Sequence, residues 1–177
     1  CKVVAAVLPS AVVGLLLDDW MDEHLYNYIV VAVMLIVYGV AFLFVEKRNG
    51  GKECKVTDVA ELDYRTAILI GAFQCLSLIP GTSRSGATIL GGIILGVSRP
   101  AAAEFSFFLA IPTMLGASAL KLVKFLLEGV QATGTEVMAL ITGCVVSFLV
   151  SVLVIKGLME YVRRHSFSVF GIYRILL

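Results

Sequence analysis

The chain has 177 residues, 59% hydrophobic and 15% charged, with mean hydropathy +0.97 and formal net charge +1. Soluble domains are usually about half apolar and about a quarter charged. The departure excludes a disordered chain, a disulfide-stapled secreted domain and a nucleic-acid-binding module, and leaves an all-α, polytopic membrane protein.

The first residue is Cys1 rather than Met, and both ends read as cut, so an N-terminally truncated single membrane domain over residues 1–177 is expected. Residues 3–17 form an apolar run interrupted by Pro9. Asp18, Asp19, Asp22 and Glu23 read as an acidic loop, with His24 solvated beside it. Residues 25–45 are a full-length span, flanked by Trp20, Tyr26 and Tyr28 at the depth expected of an interfacial belt. Residues 46–65 are a polar loop with five basic and five acidic side chains.

Two short apolar pieces follow, 67–79 and 88–97, around a polar loop. Thirteen helical residues rise only about 20 Å, against a hydrocarbon core of about 30 Å. They form either one broken crossing or a re-entrant hairpin over residues 67–97. The distribution of basic residues favours the hairpin. With the 46–65 loop in the cytoplasm, Lys2, Lys47, Arg48, Lys52, Lys55, Arg65, Arg99, Lys156, Arg163 and Arg164 all fall inside, and only Lys121 and Lys124 outside. Residues 101–127, with Pro112 as an expected kink, and 137–155 are long enough to span, and 166–177 starts another apolar run. Gly143, Ser147 and Ser151 make a small-residue stripe suited to close helix packing, including a homodimer contact.

Irregular backbone at membrane depth persists only where protein or a wet cavity surrounds it, so the hairpin tip is the natural place for a site. The tip, residues 80–88, reads Pro80-Gly81-Thr82-Ser83-Arg84-Ser85-Gly86-Ala87-Thr88. Glycines let a ligand approach the backbone, and a helix start near 85–88 presents N–H groups to an anion. Ser83, Ser85 and Thr88 supply hydroxyl donors, and the Arg84 guanidinium can fork onto phosphate oxygens. An arginine at membrane depth is costly enough to suggest a function. The combination asks for a phosphate or diphosphate presented within the membrane. Gln74 is a candidate to brace the loop, and Glu104 to orient Arg84 or to pair with Arg99. The scattered cysteines (Cys1, Cys54, Cys75, Cys144) have no metal-ligand spacing, so no metal ligand is identified, and His24 and His165 are assigned no catalytic role.

The run Phe73-Gln74-Cys75-Leu76 followed by Pro80 to Thr88 resembles the signature of the undecaprenyl-pyrophosphate phosphatase family, the bacitracin-resistance proteins. Gly96-Val97-Ser98-Arg99, Ala103 to Phe107 with Pro112, and the Phe167 to Arg174 region are also similar to it. The resemblance implies a multi-pass enzyme of the bacterial inner membrane that hydrolyses undecaprenyl diphosphate to the monophosphate carrier used in wall synthesis. It implies an inverted-repeat fold of which this chain is the second half, membrane lipids as surroundings, and a divalent cation, Mg²⁺ or Ca²⁺. Carried over by position, Ser83, Arg84 and Thr88 become catalytic, and Gly81, Thr82, Ser85 and Gly86 phosphate-binding. The family's second motif, with paired glutamates and a His, has no counterpart here, so the fragment alone is expected to be inactive. A polyprenyl-phosphate transporter or flippase is the alternative, since it too needs an anion cradle at depth.

Overall fold

A computed structural model describes residues 2–49, 54–127, 133–165 and 167–177; Cys1, Lys52, Ser166 and the side chains of Asp18, Asp19 and Asp22 lie outside the described residues. The described residues form seven α-helices: α1 Lys2–Leu25, α2 Tyr28–Asn49, α3 Tyr64–Cys75, α4 Arg84–Ile94, α5 Arg99–Leu127, α6 Gly134–Arg164 and α7 Ser168–Leu176. Among the described residues there is no strand, only an isolated bridge between Val56 and Val97. The protein is an all-α polytopic membrane protein, and α2, α5 and α6 are long and apolar enough to span a bilayer.

Several boundaries depart from the sequence reading. The acidic stretch is no loop: α1 is helical through Leu25, because no Gly or Pro interrupts residues 15–25. His24 therefore sits on the last helical turn, stacked 5.0 Å from Trp20. Asn27 then restarts the chain, its Oδ1 accepting from the Val30 amide at 2.9 Å. Helix α4 begins at Arg84, four residues earlier than its apolar run, because Ser83 caps it. Helix α6 extends past its apolar run to Arg164, aided at its start by a Thr133–Glu136 capping box.

Helices α3 and α4 form an antiparallel hairpin. Phe73 packs on Gly91 so closely that a side chain there would overlap its ring, and Ile70 reaches Gly92, where Ala102 of α5 leaves no room for a side chain. The chain enters and leaves this hairpin at one end. The Lys55 amide donates to the Gly96 carbonyl at 2.8 Å, and the Ser98 amide to the Val56 carbonyl at 2.8 Å. At that end the Lys2 ammonium also reaches the Ala60 carbonyl at 2.9 Å. Lys2 and Lys55, far apart in sequence, thus both lie at the open end of the hairpin.

Around the hairpin, α1 crosses α3 where a Cβ on Gly71 would overlap the Ala6 carbonyl. Helix α7 crosses α2 at facing glycines, Gly39 and Gly171. Helix α4 lies in the middle, with Gly86 through Ile93 buried without interruption. The core is completed by Phe42, Ala101 to Ala103, Phe105, Leu109, Val162 and Phe167.

Candidate functional site at the hairpin tip

The tip is built from a sharp turn and a capped helix. Gly81 takes φ +85°, a conformation that disfavours a side chain, and a Cβ there would lie 2.6 Å from the Val31 carbonyl oxygen of α2. Ser83 Oγ accepts from the Gly86 amide at 3.1 Å and lies 3.2 Å from Ser85 Oγ. Arg84 and Ser85 therefore occupy the first turn of α4, at the positive end of its dipole, rather than the preceding loop.

Three polar atoms around this turn are buried without a hydrogen-bond partner: Thr82 Oγ1, Arg84 Nη1 and Arg174 Nε. Buried polar groups are rarely left unsatisfied, and two of these three are cationic donors. Leaving them so costs free energy that an anion would return.

Arg174 was not singled out from the sequence as a site residue. Its Nη2 donates to the Gly81 carbonyl at 2.6 Å, and its guanidinium carbon lies 5.7 Å from the centroid of the Tyr38 ring. It thus joins α7 to the tip across 93 positions of sequence. A signal was present: an arginine within the nine-residue apolar helix α7 is unfavourable unless something nearby needs its charge.

Beside the tip lies a groove of about 280 Å³ with a polar end and an apolar wall. Ser83, Ser85 and Arg174 supply the polar end, and Phe42, Ile89, Phe107, Leu158, Phe167 and Phe170 line the wall. The groove offers donors at one end and a dry surface along the rest, the pattern of an amphiphile with an anionic head.

The other sequence candidates are placed differently. Thr88 is 1% exposed. Its hydroxyl faces the Arg84 and Ser85 carbonyls at 3.1 Å and Ser106 Oγ at 2.7 Å. It therefore ties the first turn of α4 to α5, and Ser106 is a partner that sequence reasoning missed. Arg84 is half-buried and does not line the groove. Gln74 does not brace the tip: its Nε2 donates to Ser10 Oγ at 2.6 Å and Thr113 Oγ1 at 3.3 Å, joining α1, α3 and α5. The reason is burial, since an amide in the apolar interior takes whatever hydroxyls the neighbouring helices present. Glu104 is exposed on α5 and has no part in the groove. Arg99 pairs instead with Glu46 of α2, whose side chain is 8% exposed.

The described residues contain no group of three His, Cys, Asp or Glu side chains able to hold a metal ion. The donor set at the tip is hydroxyls, amides and guanidinium groups. It suits an anion and does not fit a divalent cation, which needs oxygen acceptors.

The family model described as bacitracin resistance protein BacA matches residues 1–177. The chain is 58% identical over 176 residues to an undecaprenyl-diphosphatase of Streptococcus thermophilus strain CNRZ 1066, covering 99% of this chain and 61% of that protein. It is 56% identical to an undecaprenyl-diphosphatase of Enterococcus faecalis, with 99% and 63% covered. An undecaprenyl-diphosphatase of Streptococcus mutans serotype c is 55% identical, with 98% and 62% covered. The chain thus spans about three-fifths of the length of the curated relatives it matches.

Proposed function

The chain belongs to the bacitracin resistance protein family, and from that premise we propose that the full-length protein is an undecaprenyl-diphosphatase of the bacterial inner membrane. The observation that carries the reading is the set of buried, unpartnered donors on Thr82, Arg84 and Arg174 beside an amphipathic groove. A polyprenyl diphosphate matches both halves. Its diphosphate takes the donors, and its first isoprene units lie along Phe42, Ile89, Phe107 and Phe170.

In the reaction, oxygen from water becomes bonded to the terminal phosphorus. The bond from that phosphorus to the bridging oxygen breaks, and the electron pair stays with the lipid monophosphate. Negative charge gathers on the bridging oxygen as it leaves. Arg84 and Arg174 are fixed cations able to stabilise that charge, with the first-turn amides of α4 adding a positive dipole end. Gly81, Ser85 and Gly86 shape the cradle, Ser83 caps the helix that bears Arg84, and Thr88 holds that helix on α5.

The hairpin formed by α3 and α4 would be re-entrant, carrying this cradle to membrane depth and returning to its own side. The divalent cation implied by the resemblance would take ligands from parts of the full-length protein outside this chain, and no step is assigned to it. A homodimer through the α6 stripe is compatible with this reading.

The test uses the full-length protein in detergent, with phosphate release from a polyprenyl diphosphate as the readout. Detergent has no two sides, so release belongs to hydrolysis and not to transport. Arg84→Ala should lower turnover by at least about 10²–10³, the effect of removing one preorganised charge-stabilising donor. Arg84→Lys should stay severely impaired because it lacks the planar fork. Normal membrane yield with near-parental turnover for Arg84→Ala would sink the assignment.

A further inference from the structure

At the end of α4 opposite the tip lies a second cavity, of about 440 Å³. Its wall includes Lys55, Arg99 and Arg163, contributed by the segment before α3, the first residue of α5 and the last turn of α6. Among the described residues the one carboxylate on the wall is Glu46, and it is ion-paired with Arg99. Glu160, the acidic residue nearest in sequence to Arg163, is held by Arg164 at 2.6 Å. Lys55 and Arg163 therefore face the cavity with no anionic side chain assigned to either.

These cations do not ride on free loops. Lys55 is held by its own amide, 2.8 Å from the Gly96 carbonyl. Arg99 is oriented by the buried Glu46, and Arg163 follows directly on the buried Val162. Scattered basic residues at a membrane surface are ordinary. A cavity that converges three of them from separate elements, with one neutralised, is a different arrangement. Asn49 and Ser98 add polar groups to the lining, and Ile93, Ile94, Leu95, Val97, Pro100 and Val162 give it an apolar part. Ile94 is 54% exposed, so this wall opens outward from the described helices.

The geometry points to a second anion site in this cavity, separate from the tip, that binds the phosphate-monoester head group of a membrane lipid. The phosphate sits between Lys55 and Arg163, and the lipid chain lies against Ile94 and its apolar neighbours. Basic pockets between helices at a membrane face bind anionic head groups by this combination of charge and dry wall. The site does not depend on the chemistry proposed for the tip.

Cys54 is exposed and lines the same cavity, so its alkylation rate reports occupancy. The protein carrying Cys1→Ser, Cys75→Ser and Cys144→Ser is placed in nanodiscs of zwitterionic lipid and labelled with N-ethylmaleimide. Short-chain phosphatidic acid at about ten times its Kd should slow labelling about tenfold, since roughly one site in ten is then empty. Phosphatidylcholine of the same chain length should leave the rate unchanged. Lys55→Gln with Arg163→Gln should abolish the protection. Lys47→Gln with Arg48→Gln, the same loss of charge at the same end but outside the cavity, should preserve it. Absence of protection, or protection that survives Lys55→Gln with Arg163→Gln, would overturn the site. Equal protection by inorganic phosphate at the same concentration would make free phosphate the occupant and overturn the lipid assignment.

Discussion

Helices α4 and α6 are both apolar, yet eight of the eleven residues of α4 are buried, whereas in α6 only Val162 of thirty-one is. The difference comes from side-chain volume and position, since both helices are hydrophobic. Helix α4 carries Gly86, Ala87, Gly91 and Gly92, so Phe42, Phe73 and Ala102 approach its backbone closely. Helix α6 presents Val, Leu and Phe all round, and nothing lies within 4 Å of a Cβ built on Gly143 or Gly157. A helix apolar on every face needs an apolar environment on every face. For α4 this chain supplies it, whereas among the described residues little covers α6. The encased helix is also the one that carries a capped, charged N-terminus.

The sharpest test of this contrast compares two glycines. Gly71→Leu drives a side chain into the Ala6 carbonyl of α1. Overpacking with backbone displacement costs about 1–3 kcal/mol or more, so the thermal midpoint in detergent should fall by several degrees or the protein should fail to accumulate. Gly143→Leu meets open space and should leave the midpoint unchanged or slightly raised. A fall for Gly143→Leu as large as that for Gly71→Leu would show that a further protein surface covers α6, and would favour the small-residue stripe as a helix contact.

A smaller effect is expected at the base of the hairpin. Glu46→Gln keeps the shape but removes the charge facing Arg99. Breaking a fully buried pair costs about 3–5 kcal/mol. The Arg99 side chain is 38% exposed, and solvent screening reduces the expected loss to about 1–2 kcal/mol. Thermal melts of Glu46→Gln and of Glu46→Gln with Arg99→Gln measure it. The double variant should regain part of the stability, and equal losses in both would remove the pair from the account.

The smallest effect concerns pH, outside the spanning segments. Asp63 caps α3, its Oδ1 accepting from the Thr66 amide at 3.0 Å. Hydrogen bonds from the Thr66 side chain and then its amide hold the carboxyl below its ordinary range. A carboxyl depressed in the folded state stabilises fully above its unfolded pKa, and loses that contribution as pH falls through the folded one. Parental stability should therefore decline on acidification from about pH 5 to about pH 3, near the ordinary aspartate range. Asp63→Asn keeps a capping oxygen without a titrating proton, so its melts should decline less over the same window. Identical pH profiles would remove Asp63 as the cause.

Much of the architecture was legible in the residues themselves. Composition announces an all-α membrane protein. The short lengths of two apolar pieces, together with the one-sided basic residues, point to a hairpin whose ends meet. The residue types of 80–88 mark that stretch as a candidate anion site. Each of these is a local or summed property, readable without knowing what packs on what. Helix ends were less legible, because a helix continues through polar residues such as Asp18 and Asp22 when nothing breaks its ladder. Only the tertiary structure decided which side chains share a site. It turned Gln74 toward Ser10 and Thr113, paired Arg99 with Glu46 rather than Glu104, and tied Thr88 to Ser106. It also brought Arg174 onto Gly81 across 93 positions. The physical reason is that a buried polar group must find a partner wherever the packed helices present one. That choice depends on crossings set by glycines such as Gly39, Gly71 and Gly171, which no periodicity along the chain encodes.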